Sequence, residues 1–157
     1  MDMSYAFGMI SDHLNLIIPH LFVGNSHSAR TSSIISENDI TAIVNVAKDL
    51  DDPWLPEVQL YKFGIVDGAS HENHSVTYAL AARTVLTLLD RGETVLLHCH
   101  EGISRSVAVA VLVVSKFNGM SLDQAYGLVG TQRPIAFINK GHKIHIEEAR
   151  KMLDAAW

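Results

Sequence analysis

The sequence has a single cysteine, Cys99, which excludes an internal disulfide. It is also poor in basic residues, with 12 Lys and Arg against 17 Asp and Glu and a formal net charge of -5 at pH 7. Duplex nucleic acid is bound mainly through clustered Lys and Arg, so no nucleic acid partner is expected. Because an unpaired thiol stays free in a reducing compartment, we expect the protein to be cytoplasmic.

Long apolar runs are missing as well. The longest one, Val107 to Val114, falls well short of the roughly eighteen residues that cross a bilayer. The N-terminus carries Asp2 and no basic stretch ahead of an apolar block, so we expect neither a membrane span nor a secretory leader. Repeats and linker-like tracts are lacking too, and 157 residues with 48% hydrophobic content suit one domain, residues 1–157.

Segments rich in β-branched residues alternate with segments of helical spacing. Strands are predicted at 20–24, 40–46, 58–65 and 94–98, and helices at 26–37, 73–91, 105–118, 121–130 and 139–153. Residues 1–15 carry no clear pattern, and we expect them to pack across the surface. The alternation predicts an α/β fold, a mainly parallel central sheet flanked by helices, with 94–98 as its central strand.

Three local patterns refine this assignment. In the helix at 73–91, the spacing of the apolar residues predicts an amphipathic helix (Val76, Leu80, Val85, Leu88 and Leu89). The β-branched run 107–114 is compatible with a strand, but we predict a buried helix there. Ser121 followed by Gln124 has the form of a capping box.

The stretch VLLHCHEGISRS, residues 95–106, predicts an anion-binding loop. A buried strand delivers Cys99 to the loop, and a helix leaves it from Arg105, so loop N–H groups and the positive helix end face the same point. That field stabilises a thiolate as well as a phosphate. Arg105 can bind two phosphate oxygens through its planar guanidinium, and Ser106 can donate a hydrogen bond to the sulfur when it leaves.

A cysteine in this position has two alternatives to a nucleophilic role. Free cysteine is often simply a buried thiol, but that leaves Gly102, Arg105 and Ser106 at these positions unexplained. A metal site would need ligands beside Cys99, yet strand alternation sends His98 and His100 to the opposite face, and no C-x-x-C or H-E-x-x-H partner is present. We therefore expect no metal and no cofactor.

The spacing of His98-Cys99, five residues, then Arg105-Ser106 resembles the HC(X)5RS signature of cysteine-dependent protein tyrosine phosphatases, most closely the dual-specificity branch. IIPHLFVGN and QRPIAFIN resemble further segments of that family, and the match runs from about Ile17 to Leu153. The resemblance implies a protein tyrosine phosphatase-like fold. It also implies a substrate-binding loop made of His100, Glu101, Gly102, Ile103, Ser104 and Arg105.

A phosphatase also needs a proton donor for the leaving oxygen. Asp67 follows a predicted strand, at the sheet edge where sites form, and it matches the position of the family's general acid. A plain Asp-Gly turn is the alternative reading. The reserve acids are Glu72 in the same loop and an acidic stretch after the preceding strand that is more typical of a solvated turn (Asp49, Asp51 and Asp52).

Two further residues have alternative roles. His98 is expected to orient the loop, as its family counterpart does, or simply to pack at the end of a strand. Asn139 either braces the phosphate loop or caps the last helix.

Together these features predict a phosphatase that acts on phosphotyrosine and phosphoserine or phosphothreonine through a cysteinyl-phosphate intermediate. Its partner would be a phosphoprotein, because Glu101 in the loop disfavours polyanionic head groups. The alternatives are a phosphatase for phosphoinositides or RNA 5'-phosphates, and a non-catalytic phosphate-binding pseudophosphatase, which often lacks the cysteine that this sequence keeps. Arsenate reduction and sulfur transfer rank last, since they usually need further cysteines or a different loop length.

Overall fold

The computed structural model describes residues 13–155, which form five strands and six helices. The strands are β1 (Leu14–Ile18), β2 (Leu21–Gly24), β3 (Ala42–Ala47), β4 (Gln59–Ile65) and β5 (Val95–His98). The helices are α1 (Ser26–Arg30), α2 (Ser32–Glu37), α3 (Ser75–Asp90), α4 (Arg105–Asn118), α5 (Leu122–Gln132) and α6 (Lys140–Asp154). The expectation for residues 1–12 lies outside the described range.

The strands form one sheet in the order β1-β2-β5-β3-β4, in which only the β1 to β2 pair is antiparallel. The predicted α/β class is therefore confirmed, and β5 is the central strand. Since β2, β3, β4 and β5 run in one direction, their carboxyl ends meet at the same sheet edge. Cys99 follows β5 at that edge, and Asp49 and Asp67 lie in the loops after β3 and β4.

Strands β3 and β5 are buried on both faces, as is typical of the inner strands of a parallel sheet, whereas the edge strand β4 is largely exposed. Val44 and Leu97 belong to the larger core beside α3 to α6, whereas Ile43 and Leu96 pack in the smaller core with residues of α1 and α2. Alternation along β5 then sends Cys99 to the same face as Leu97, and Cys99 indeed belongs to the larger core.

Helix α4 is buried over eleven consecutive residues, Arg105 to Ser115. A helix that is buried on every side needs no polar face, which explains why its β-branched sequence is also compatible with a strand. The predicted buried helix is confirmed. Within residues 13–155, no single helix is long and apolar enough to cross a membrane, although α4 and α5, bent by 116° at their junction, pass the same length and composition test together.

Three expectations were wrong in detail. The helix predicted at 26–37 is two short helices, because the Oγ1 of Thr31 donates to the carbonyl of His27 (2.7 Å) while the backbone at Thr31 is extended. Residues 14–18 form an edge strand that pairs with β2. In α3 the predicted apolar residues Val85 and Leu88 are buried, but Val76 and Leu80 are exposed. Tyr78 and three alanines complete the buried face, because α3 packs closely on α4 and α6.

The caps predicted at Ser121 and Asn139 are confirmed. Ser121 and Gln124 form a reciprocal capping box, and Asn139 caps α6 by accepting a hydrogen bond from the backbone N–H of His142 (3.2 Å). These caps depend only on neighbouring residues, so sequence is sufficient to predict them.

Candidate active site

A cleft of about 740 Å³ lies at the carboxyl edge of the sheet. It is lined by residues from four loops and the start of α4: Lys48, Asp49, Val66, Asp67, Glu72, Cys99, His100, Glu101, Ile103, Ser104, Arg105, Phe137 and Asn139. Most of the predicted site residues therefore meet in one cavity. The exceptions are His98, Gly102 and Ser106, which are buried and do not line the cleft.

Cys99 lies in the cleft with only 3% of its surface exposed. Its Sγ is 3.1 Å from the Oγ of Ser106, which occupies the first turn of α4. The sulfur thus sits between the end of a buried strand and the positive end of a buried helix, where an anion is stabilised. This is the placement that the sequence predicted for a nucleophilic thiolate.

Several carbonyls of the cysteine loop accept hydrogen bonds from groups outside the loop. The carbonyl of His100 accepts from Ser26 N (2.9 Å), that of Ile103 from Phe137 N (2.8 Å) and that of Gly102 from Arg133 Nε (2.7 Å). In a trans peptide the N–H points opposite to the carbonyl. Because these hydrogen bonds hold the carbonyls pointing out of the loop, the N–H groups of the same peptides point toward its centre. Phosphate binding requires this orientation.

Arg133 is the main brace of this loop. Its side chain is fully buried, and besides Gly102 it reaches the carbonyl of Glu101 (3.3 Å) and the Oδ1 of Asn15 (2.7 Å). Gly102 is left-handed (φ +70°), and a Cβ there would lie 2.6 Å from the carbonyl oxygen of Gly24. Only glycine fits this turn.

The guanidinium of Arg105 is held at the wall of the cleft. Its Nη1 donates to the carbonyl of Ile65 (3.0 Å) and to the Oδ1 of Asp49. The hydrogen bond from Arg105 holds the pKa of the Asp49 carboxyl below its ordinary value. With Nη1 engaged, the Nε and Nη2 side of the fork is the side suited to two phosphate oxygens.

Asp67 stands beside Arg105, with its Oδ1 4.0 Å from the Arg105 Nε. Its side chain is 65% exposed, and Oδ1 accepts from the N–H of Gly68 (3.0 Å) and from the Nε2 of His142 (3.4 Å). The loop that carries it is fixed by the buried Asn73, whose amide bonds both the N–H and the carbonyl of Val66 (2.8 Å each). An exposed carboxyl on a fixed loop is suited to proton transfer at the cleft mouth.

His98 lies behind the loop with its ring buried. Its Nδ1 donates to the carbonyl of Cys99 (3.1 Å), and its Nε2 has no hydrogen-bond partner among residues 13–155. Burial lowers the pKa of His98, so the ring stays neutral with its proton on Nδ1. The contact ties the ring to the first peptide of the loop, as an orienting role requires.

The rim of the cleft is mostly acidic. Lys48 pairs with Glu72 (2.7 Å) across it, Glu101 is exposed, and Phe137 is an exposed aromatic side chain. The hydrogen bond from Lys48 lowers the pKa of Glu72. Glu72 is thus engaged at the rim, whereas Asp67 stands beside Arg105. In the part of the chain that the structure describes, no group of three or more His, Cys, Asp or Glu side chains is arranged to hold a metal ion.

The model of the dual-specificity phosphatase catalytic domain matches residues 21–152 of this chain. The chain belongs to the dual-specificity phosphatase family. It is accordingly a protein phosphatase, a hydrolase of phosphate esters.

Individual relatives agree with this assignment. Mouse dual specificity protein phosphatase 18 is 30% identical over 128 residues, which span 82% of this chain and 68% of that protein. A point variant of human DUSP28 superposes with a TM-score of 0.82 at 25% identity, over 90% of this chain and 97% of that structure. A mouse dual-specificity phosphatase complexed with zinc tungstate gives 0.82 at 26% identity, over 91% and 89%.

In this dual-specificity phosphatase, sequence reasoning missed several residues that shape the site. Asp49 was expected in a solvated turn, yet it binds Arg105. Arg133, Tyr78 and His142 were not assigned to the site. A fully buried arginine leaves no local signal in the sequence, but the Arg-Pro pair of the family segment marks its position.

Asn139 has two contacts rather than one. Its side chain caps α6, and its backbone N–H lies 3.3 Å from the Oγ of Ser104 in the cysteine loop. The two readings of Asn139 are therefore compatible, because the helix cap and the loop contact use different atoms of the same residue.

Proposed function

We propose that this phosphatase transfers the phosphoryl group of its substrate to Cys99 and then to water. The observation that carries the proposal is the Sγ of Cys99, buried in the cleft at the start of α4 and 3.1 Å from the Oγ of Ser106. Arg105 and Asp67 line the same cleft. Nucleophile, phosphate ligand and proton donor are thus within one cavity, the geometry of covalent catalysis.

In the first step the Cys99 thiolate attacks phosphorus, and an S–P bond forms as the P–O bond to the leaving group breaks. The loop N–H groups and Arg105 bind the phosphoryl oxygens, whose charge they stabilise in flight. Asp67 gives its proton to the leaving oxygen, so that an alcohol or phenol departs rather than an alkoxide.

In the second step water attacks the phosphocysteine. The Asp67 carboxylate takes a proton from this water, the S–P bond breaks, and inorganic phosphate is released. The sulfur departs as a thiolate, and the hydroxyl of Ser106 can donate a hydrogen bond to it. Both steps together consume one water and regenerate the starting enzyme.

A phosphoprotein is the substrate class that fits the charge of the cleft. Among the lining residues, Asp49, Asp67, Glu72 and Glu101 supply carboxylates against the cations of Lys48 and Arg105. Both cations are already paired with carboxylates. A head group carrying several phosphates would be repelled by this rim, whereas one phosphate on a peptide places a single dianion on the loop. A free nucleophilic thiol also favours the cytoplasm as the place of action.

Hydrolysis of p-nitrophenyl phosphate by wild type, Cys99→Ser and Asp67→Asn tests the mechanism. We expect Cys99→Ser to abolish turnover while it still binds phosphate, and Asp67→Asn to slow turnover by at least about a hundredfold. Acid-quenched wild type should carry one phosphoryl group on the peptide that contains Cys99. Full activity in Cys99→Ser would refute the covalent mechanism.

A substrate panel tests the protein assignment. Phosphotyrosine and phosphothreonine peptides, phosphoinositides and 5'-triphosphorylated RNA should be compared by kcat/KM under one salt condition. We expect the peptides to be the best substrates, and Glu101→Gln to improve hydrolysis of the phosphoinositides more than of the peptides. Faster hydrolysis of a phosphoinositide or RNA by wild type would overturn the assignment.

A further inference from the structure

A chain of hydrogen bonds reaches Asp67 from the protein interior. The hydroxyl of Tyr78, on α3, lies 2.6 Å from the Nδ1 of His142, in the first turn of α6. The other ring nitrogen of His142, Nε2, lies 3.4 Å from the Oδ1 of Asp67. Tyr78 and His142 are both fully buried, whereas Asp67 is 65% exposed. The chain therefore connects the protein interior to the proton donor at the cleft.

The direction of each hydrogen bond follows from the chemistry of the groups. The Asp67 carboxylate can only accept, so the Nε2 of His142 carries the proton. Burial lowers the pKa of His142 and raises that of Tyr78, so the imidazole is neutral and the phenol keeps its proton. The Nδ1 of His142 must then accept from the hydroxyl of Tyr78. One tautomer of His142 satisfies both contacts.

These contacts distinguish the two oxygens of the Asp67 carboxyl. Oδ1 accepts from Gly68 N and from the Nε2 of His142, so the acidic proton belongs on Oδ2. The approach of α6 depends on Gly141, where a Cβ would lie 2.6 Å from the Cα of Ala69 in the acid loop. Without the hydrogen bond from His142, an exposed aspartate would sample several rotamers. Its proton would then face the leaving oxygen only part of the time.

We propose that His142, oriented by Tyr78, is a positioning residue that holds Asp67 with its protonated oxygen facing the leaving group. The inference rests on the proposed role of Asp67 as general acid. Loss of His142 would then matter only as far as the reaction depends on proton donation. A merely structural role would slow every substrate by the same factor.

Leaving groups of different acidity separate these two cases. Phenyl phosphate needs a proton for its leaving oxygen, whereas 2,4-dinitrophenyl phosphate releases a stable anion and hardly needs one. The readout is kcat/KM, which reports only the steps up to cleavage of the P–O bond and leaves out the later hydrolysis of phosphocysteine. For His142→Phe we expect kcat/KM for phenyl phosphate to fall about ten- to a hundredfold, in line with misplacement of one catalytic group. The kcat/KM for the dinitrophenyl ester should change little. Tyr78→Phe should act in the same direction but less, because the imidazole loses the donor that selects its tautomer.

Two matched variants sharpen the test. His142→Gln keeps an N–H donor near the position of Nε2, and it should recover part of the rate on phenyl phosphate. His145→Phe is the same change one turn later on α6; this ring stacks on Tyr78 (5.1 Å between centroids) and its Nδ1 lies 2.8 Å from the Oγ of Ser75. The His145→Phe variant should not alter the ratio of the rates on phenyl phosphate and 2,4-dinitrophenyl phosphate. Among residues 13–155, the side chain of His145 has no contact with Asp67.

The double variant Asp67→Asn, His142→Phe completes the experiment. If His142 acts through Asp67, the double variant should be no slower on phenyl phosphate than Asp67→Asn alone. Additive losses, or an equal loss on both esters in a folded His142→Phe protein, would overturn the inference. Failure of the proposed function looks different, because wild type would then show no turnover or Asp67→Asn would lower kcat/KM for both esters by the same factor.

Discussion

The Oδ1 of Asp49 accepts a hydrogen bond from the Nη1 of Arg105, although the two residues lie 56 positions apart in the chain. Arg105 is almost completely buried, and a buried guanidinium without a partner would be costly. Together with the carbonyl of Ile65, Asp49 therefore holds the guanidinium in one orientation at the cleft wall. In the proposed mechanism, this contact preorganises Arg105 as the phosphate ligand.

Asp49→Asn should weaken that orientation. We expect kcat/KM for p-nitrophenyl phosphate to fall by about fivefold, the effect of one charged hydrogen bond that solvent already weakens. Asp51→Asn, in the same acidic segment, is the matched control and should leave the rate unchanged. A faster Asp49→Asn enzyme would instead mean that Asp49 competes with phosphate for Arg105.

Gly102→Ala should prevent the cysteine loop from closing. The substitution combines a positive φ with a Cβ that would lie 2.6 Å from the carbonyl oxygen of Gly24, so we expect the free energy of unfolding to fall by at least about 3 kcal/mol and activity to be lost. Gly119→Ala also has a positive φ but an open surrounding, and it should cost only about 1–2 kcal/mol. Urea unfolding measures both, and equal losses would argue against the close contact.

Ser106→Ala should slow the second chemical step more than the first. Its hydroxyl lies 3.1 Å from the Sγ of Cys99, and stabilising the departing thiolate is worth about tenfold in rate or more. Rapid mixing with p-nitrophenyl phosphate should then show a burst of p-nitrophenol followed by slow turnover. Ser115→Ala, which removes another buried hydroxyl from α4, is the control and should show no new burst. Equal slowing of both phases in Ser106→Ala would contradict this prediction.

Stability should fall when the solution is acidified. Burial lowers the pKa of His98 and of His142 below the ordinary 6.5, so below that pH the unfolded chain binds protons that the folded protein does not. The free energy of unfolding should therefore decrease as the pH drops from about 7.5 to 5.5. His142→Phe removes one of these sites and should make the decrease shallower. Urea unfolding at several pH values measures this dependence. The same change of unfolding free energy with pH in wild type and His142→Phe would contradict the prediction.

Features formed by residues close together in the chain could be predicted from the sequence, whereas features formed by distant segments could not. The loop from Cys99 to Ser106 is contiguous, so its residue types and spacing already predict an anion site, and the caps at Ser121 and Asn139 are equally local. The exposed positions of α3 were not predictable in the same way. Apolar spacing assigned Val76 and Leu80 to an amphipathic pattern, but the packing of α3 against α4 and α6 decided which face is buried.

The sequence by itself predicted Cys99 as nucleophile, Arg105 as phosphate ligand and Asp67 as candidate acid, because catalytic chemistry restricts which side chains can stand at those positions. The tertiary structure alone decided how they are held: Asp49 on Arg105, Arg133 on Gly102, and Tyr78 through His142 on Asp67. Each of these contacts joins segments at least 31 positions apart. Such segments meet because parallel strands bring their loops to one edge of the sheet and because α3 packs on α6. Local periodicity carries no record of either arrangement.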